Sequence, residues 1–88
     1  MPTKLLRQIK NTLPELRKSE KIVAEYILND PKSVITLKTA EASSLMGISE
    51  PTLIRFCKAM GFSGYQEMKI NLSQQLAADD YFEIYEIY

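Results

Sequence analysis

Residues 38–46 (KTAEASSLM) have the spacing of a short helix, and only Gly47-Ile48 separates them from a second helical stretch opening at Ser49. A glycine suits that junction because a turn needing positive φ is strained for any residue with a Cβ. Ser49 is a natural N-cap, and Pro51 falls in the first turn, where a missing N–H costs nothing. Leu53, Phe56, Cys57 and Met60 then recur at i, i+3, i+4 and i+7, a single inward stripe that Gly61 closes. The first helix of the pair has a thinner apolar face, Ala42, Leu45 and Met46, and Ile48 is placed to plug the angle between the two. Two short helices joined by a tight glycine turn are the architecture of a helix-turn-helix, with its second helix running from Ser49 to about Met60.

The flanking segments predict further helices. Leu5, Leu6 and Ile9 share one face of a helix over residues 3–12 that stops near Leu13-Pro14. Ser19 is the expected N-cap of a helix through Leu28, with Glu20 in its first turn and Ile22, Val23, Tyr26 and Ile27 as its buried face. Asn29-Asp30-Pro31 reads as a stop and a turn, and Lys32–Ile35 as a short helical turn. A last helix, roughly 64–78, turns Tyr65, Met68, Leu72 and Leu76 inward. The expected fold is therefore all-α, a compact helical bundle of about five helices. Residues 1–78 form one helix-turn-helix domain, and residues 79–88 form an acidic, aromatic tail or the start of a linker.

Composition narrows the function by exclusion. The chain has no histidine, no glycine-rich phosphate loop, no metal-ligand cluster and no carboxylates paired at a fixed spacing, so an enzyme, a metal site and a cofactor are not expected. The single Cys57 sits on the inward stripe, where a thiol behaves as a small hydrophobe, and it rules out an internal disulfide. No apolar run is long enough to span a bilayer, and MPTKLLRQIKNTL lacks the features of a signal peptide, so the expected location is cytoplasmic. The net charge of zero hides an asymmetry: residues 1–78 hold all eleven Lys and Arg against seven acids, while Asp79, Asp80, Glu83 and Glu86 crowd the end. A mildly basic body is compatible with nucleic acid without proving it. A domain this short buries a modest core, which leaves it marginally stable or helped by dimerisation.

A helix-turn-helix sets the N-terminal residues of its second helix against base edges in the major groove, while the first helix crosses the backbone. Opposite the inward stripe, the second helix presents Glu50, Pro51, Thr52, Ile54, Arg55 and Lys58. Thr52 offers a hydroxyl to bases or phosphate and a methyl to thymine; Arg55 can bind guanine bidentately or grip a phosphate; Lys58 suits a phosphate. Each has a plainer reading beside it. Ser49 serves as a cap, a phosphate contact or both, and Glu50 as a partner for a cytosine amine or a first-turn stabiliser. Arg55 is otherwise a solvated surface residue or the partner of Glu41. Ile54 either touches a thymine methyl or packs on another helix. Lys69, on the last helix, is a phosphate candidate; Lys38 and Ser44, near the ends of the first helix of the pair, are weaker ones. The competing class is a helical interaction or dimerisation module, which would need the same apolar periodicity but neither Arg55 nor Lys58.

The stretch Ser49–Lys69, SEPTLIRFCKAMGFSGYQEMK, resembles the signature of the RpiR family of bacterial transcriptional regulators, and SEPT-x-x-RFC is most similar to its HexR-type branch. Upstream, LRKSEKIVAEYILNDPKSV resembles the family's opening helices, so the likeness covers about residues 3–78. The resemblance implies a winged-helix-like or homeodomain-like head that binds double-stranded DNA in a homo-oligomer, a dimer or tetramer. It also implies a downstream domain, beyond these 88 residues, that binds a phosphorylated sugar and alters operator binding, so the genes controlled would belong to sugar or sugar-phosphate metabolism. Ser49, Thr52 and Arg55 match recognition positions, and Lys58 and Lys69 match basic ones. The chain departs from the pattern at Thr39, Ala42 and Ser43, where the family more often has larger or more apolar residues, which leaves the first helix of the pair less firmly anchored.

The ending DDYFEIYEIY matches no part of that pattern. Its alternation allows a strand or a short amphipathic segment. It reads as a linker start, as an aromatic docking segment for a partner, or as an acidic strip that folds back over the basic face.

Overall fold

A computed structural model of the chain describes residues 4–87, with side chains described for 4–77. Six α-helices follow one another: α1 Lys4–Thr12, α2 Lys18–Asn29, α3 Pro31–Val34, α4 Thr39–Met46, α5 Glu50–Ala59 and α6 Tyr65–Ile87. A 3-10 turn, Leu13–Glu15, links α1 to α2. There is no strand among the described residues, so the all-α expectation holds, and of the two folds implied by the resemblance it is the wingless one that appears.

One core serves all the long elements. Leu5 and Ile9 of α1, Val23, Ala24 and Ile27 of α2, Val34 of α3, Leu53, Phe56 and Cys57 of α5, and Met68 and Leu72 of α6 are buried in a single cluster. The α5 stripe lies inside as its spacing requires, Met60 included. The α6 stripe is buried at Tyr65, Met68 and Leu72 and half-buried at Leu76. Hydrogen bonds tie the chain ends of these helices across long sequence distances. The Leu5 amide, one of the donors at the start of α1 with no partner inside the helix, donates to Gln75 Oε1 of α6 at 2.8 Å. The Gln8 amide nitrogen donates to the Met60 carbonyl at 3.3 Å, fastening α1 to the end of α5.

Three expectations are corrected. Ser19 is not a cap: α2 starts at Lys18 with Arg17 as its N-cap residue, whose extended backbone carries no capping side-chain bond. Leu13 and Leu16 both pack on the core, which brings the chain through the 3-10 turn and puts the extended break at Leu16-Arg17. Ile22 is 39% exposed, its place in the buried face of α2 taken by Ala24. Leu45 is 62% exposed, and α4 buries Ala42, Ser43 and Met46 instead. The short helical turn expected at Lys32–Ile35 is α3, which opens one residue earlier, at Pro31 behind Asp30, whose carboxylate accepts the Ser33 amide at 3.3 Å. The tail backbone continues α6 to Ile87, so it is helix and not strand; the docking and masking readings of its side chains lie outside the described residues.

Candidate DNA-binding face

The junction between α4 and α5 is built from backbone bonds. Ile48 N–H donates to Ser43 O at 3.0 Å and Gly47 N–H to Ser44 O at 3.1 Å, the crossed pair of a Schellman closure, with Gly47 at φ +71°. The same pair recurs where α5 ends: Phe62 N–H to Cys57 O and Gly61 N–H to Lys58 O, both 3.0 Å, with Gly61 at φ +97°. A Cβ at either glycine would meet nothing within 4 Å, so the backbone angle rather than space asks for glycine. Ile48 and Phe62, the residues after the two turns, fold back onto the core.

Ser49 caps α5. Its Oγ accepts the Thr52 amide at 3.3 Å and lies 2.8 Å from Thr52 Oγ1. Two hydroxyls in one shared bond use one proton between them, which leaves the other proton free to donate outward. Glu50 is exposed in the first turn, where a carboxylate faces the positive end of the helix dipole.

The placement of α4 depends on α6. The Tyr65 hydroxyl, itself buried, reaches the carbonyls of Val34 at 3.0 Å and Leu37 at 3.2 Å. Lys69 Nζ donates to the same Leu37 carbonyl at 2.9 Å and stands 5.1 Å from the centre of the Tyr65 ring, within cation–π range. Two side chains of α6 thereby hold the segment from which α4 starts. Desolvation pushes the Tyr65 phenol up to about 12, which keeps it protonated. At the start of α4, the Glu41 carboxylate accepts the Lys38 amide at 3.0 Å, so Glu41 is turned to its own helix cap and not to Arg55.

The remaining candidates spread over the outward surface. Pro51, Ile54, Arg55 and Lys58 line one shallow groove along α5; Arg55 and Lys58 are exposed, and their side chains have no hydrogen-bond or ion-pair partner among the described residues. Ile54 is half-buried and borders that groove. Ser49 and Thr52 open into a second groove, on the side of α5 that faces the start of α2. Lys38, the N-cap residue of α4, and Ser44 within that helix are exposed. Lys69 lies apart, in a cleft between α3 and α6 with Ile35 and Ile70. Sequence reasoning passed over Arg17 and Lys18, which the fold brings beside Ser49 and Thr52 from 31 positions or more up the chain. A helix cap with no side-chain bond gave no signal for them.

Burial pushes the Cys57 thiol up to about 12, away from its nucleophilic form, and its Sγ packs 3.6 Å from Met68 Sδ. No group of side chains able to hold a metal ion occurs among the described residues. No helix among them is long and apolar enough to cross a membrane.

Comparison with known proteins agrees with this geometry. The family described as the helix-turn-helix domain, rpiR family, matches residues 3–79. The HTH-type transcriptional regulator HexR of Pseudomonas aeruginosa is 46% identical over 74 residues, which are 84% of this chain and 26% of that protein. Among solved structures, the N-terminal domain of the putative transcriptional regulator ybbH from Bacillus subtilis superposes with a TM-score of 0.79 at 34% identity, over 86% of this chain and 93% of that one. The Vibrio vulnificus NanR protein complexed with ManNAc-6P superposes with a TM-score of 0.83 at 28% identity, over 86% of this chain and 29% of that one. The chain spans about a quarter of the length of the curated relatives it matches.

Proposed function

Because the chain belongs to the rpiR family of helix-turn-helix domains, we propose that it is the operator-reading head of a regulator of sugar or sugar-phosphate metabolism genes. The observation that carries this reading is the two-sidedness of α5. Leu53, Phe56 and Cys57 are fully buried and fix the helix, while Arg55 and Lys58 stand unpaired on its outer side. A rigid helix with free cations pointing away from the core is what the major groove accepts.

Thr52 and Arg55 read bases in this proposal, and Ser49 and Lys58 hold phosphates, with Glu50 and Ile54 completing the contact surface. Lys38 and Ser44 reach the backbone from α4. Lys69 keeps spare donors for a phosphate beyond its bond to Leu37. A single head of this size makes few base contacts, so tight binding requires a dimer on paired half-sites, in the cytoplasm where the DNA is. The relatives named HexR and the NanR structure with ManNAc-6P support a phosphorylated sugar as the effector of the whole regulator, acting through a domain downstream of this head.

The test is an amide-shift titration with a short mixed-sequence duplex at low and moderate salt. The expected result is shifts concentrated at Ser49–Lys58 that weaken as salt rises. Arg55→Ala should then lose about 1–3 kcal/mol of specific affinity if Arg55 reads a guanine, with the fold unchanged. Silence along α5, with changes only on self-association, would leave a protein-interaction module in place of a DNA head.

A further inference from the structure

The groove that Ser49 and Thr52 share with the start of α2 is open to solvent, spans about 500 Å³ and belongs to no element of the helix-turn-helix pair alone. Arg17 and Lys18, at the start of α2, and Ser49 and Thr52, at the start of α5, line it together with Ser19 and Gly47. Its apolar lining is Ile22 and Ile48. No carboxylate lines it. Arg17 and Lys18 are exposed, and neither side chain has a hydrogen-bond or ion-pair partner among the described residues; the Arg17 carbonyl accepts the Lys21 amide at 2.8 Å. The Ser49–Thr52 hydroxyl pair in the same lining holds one proton that its internal bond does not use.

We propose that this groove seats one strand of the DNA backbone, with a phosphate between the Arg17 and Lys18 cations and the Ser49–Thr52 hydroxyls, and a deoxyribose over Ile22 and Ile48. Two cations facing a hydroxyl donor, with no acid to compete, select an anion. The apolar lining distinguishes a sugar–phosphate chain from a bare anion, since a free phosphate has nothing to place against it. It also accounts for Ile22: at 39% exposed, it is an isoleucine left facing outward on a helix whose other large aliphatics turn in. The groove opens at the first turn of α5, so a strand lying in it sets the depth and register at which Thr52 and Arg55 meet the bases. Arg17 and Lys18 are thus positioning residues, and α2 is part of the DNA-binding surface. This rests on the DNA-binding reading above.

The experiment measures affinity of the 88-residue chain for two unrelated short duplexes across a range of salt, for the parent, Arg17→Ala/Lys18→Ala and Arg55→Ala. The slope of log K against log salt changes by about 0.9 for each phosphate that the protein no longer neutralises. The double variant is expected to flatten the slope by roughly 0.9 to 1.8, and to weaken both duplexes by the same factor. Its amide spectrum should otherwise match the parent, since neither side chain holds the fold. A slope equal to the parent's, in a protein that binds DNA and depends on Arg55, would overturn the groove assignment and leave the DNA head standing. Weakening of one duplex and not the other would also overturn it, because a backbone contact carries no sequence. A parent that binds neither duplex sinks both readings together.

Discussion

Helices α4 and α5 close on the same crossed pair of backbone bonds and a left-handed glycine, yet they are held in place by different means. Helix α5 inserts Leu53, Phe56 and Cys57, all fully buried, so hydrophobic contact fixes its position and its rotation. Helix α4 inserts Ala42, Ser43 and Met46 and leaves Leu45 in solvent. Its start is fixed instead by polar contacts: Tyr65 and Lys69 on the Leu37 carbonyl, and Glu41 on the Lys38 amide. The α6 side chains restrain its entry. A recognition helix needs one fixed outer face, which a deep apolar stripe supplies. A helix that crosses the backbone needs only its ends in register.

The largest test of that contrast is Phe56→Ala. It should cost about 3–5 kcal/mol of stability in a urea melt, because a large aromatic leaves a cavity that the surrounding helices only partly close. A loss under about 1 kcal/mol would mean that α5 is not anchored by its stripe.

High pH should come next. Burial raises Cys57 from its ordinary 9.0 to about 12, and Tyr65 from 10.0 to about 12. The unfolded chain releases these protons at the ordinary values, while the fold keeps them. Stability is therefore full below about pH 9 and declines as pH rises from there toward 12. Cys57→Ala and Tyr65→Phe should each flatten the decline, and melts at about pH 8 and about pH 10.5 that coincide for the parent would contradict the burial of both groups.

Gly47→Ala and Gly61→Ala should each cost about 1–2 kcal/mol, the penalty of a left-handed backbone for a residue with a Cβ. Equal losses are expected despite the different anchoring of the two helices, since both sites are asked only for φ.

Tyr65→Phe should cost about 0.5–1.5 kcal/mol at neutral pH, the net worth of one hydrogen bond. Its amide shifts should gather at 34–42 and leave 53–57 quiet; an even spread would deny α6 its hold on α4. Leu45→Ser should change stability by no more than about 0.5 kcal/mol, as expected of a side chain in solvent.

Much of this was legible in the chain. The restart at Gly47-Ile48-Ser49, the α5 stripe and the glycine after each helix are local signals, set by spacing and by φ, and each appears where the spacing puts it. The reading failed where burial depends on a neighbour that the sequence does not identify. Ile22 and Leu45 look like core by type, yet the packing of α2 and α4 turns Ala24 and Ser43 inward and leaves those two outside. Ser19 looks like a cap, but Leu13 and Leu16 anchor the chain just upstream and start the helix at Lys18.

The sequence by itself determined the helices, the tight turn between the central pair and which side of α5 faces inward, because those follow from periodicity and backbone sterics within a few residues. Only the tertiary structure decided that α6 would hold the entry to α4 and that Arg17 and Lys18 would stand beside Ser49. Such pairings join residues about 30 positions apart, and the route by which the chain returns is fixed by the packing of the whole core, not by any one segment.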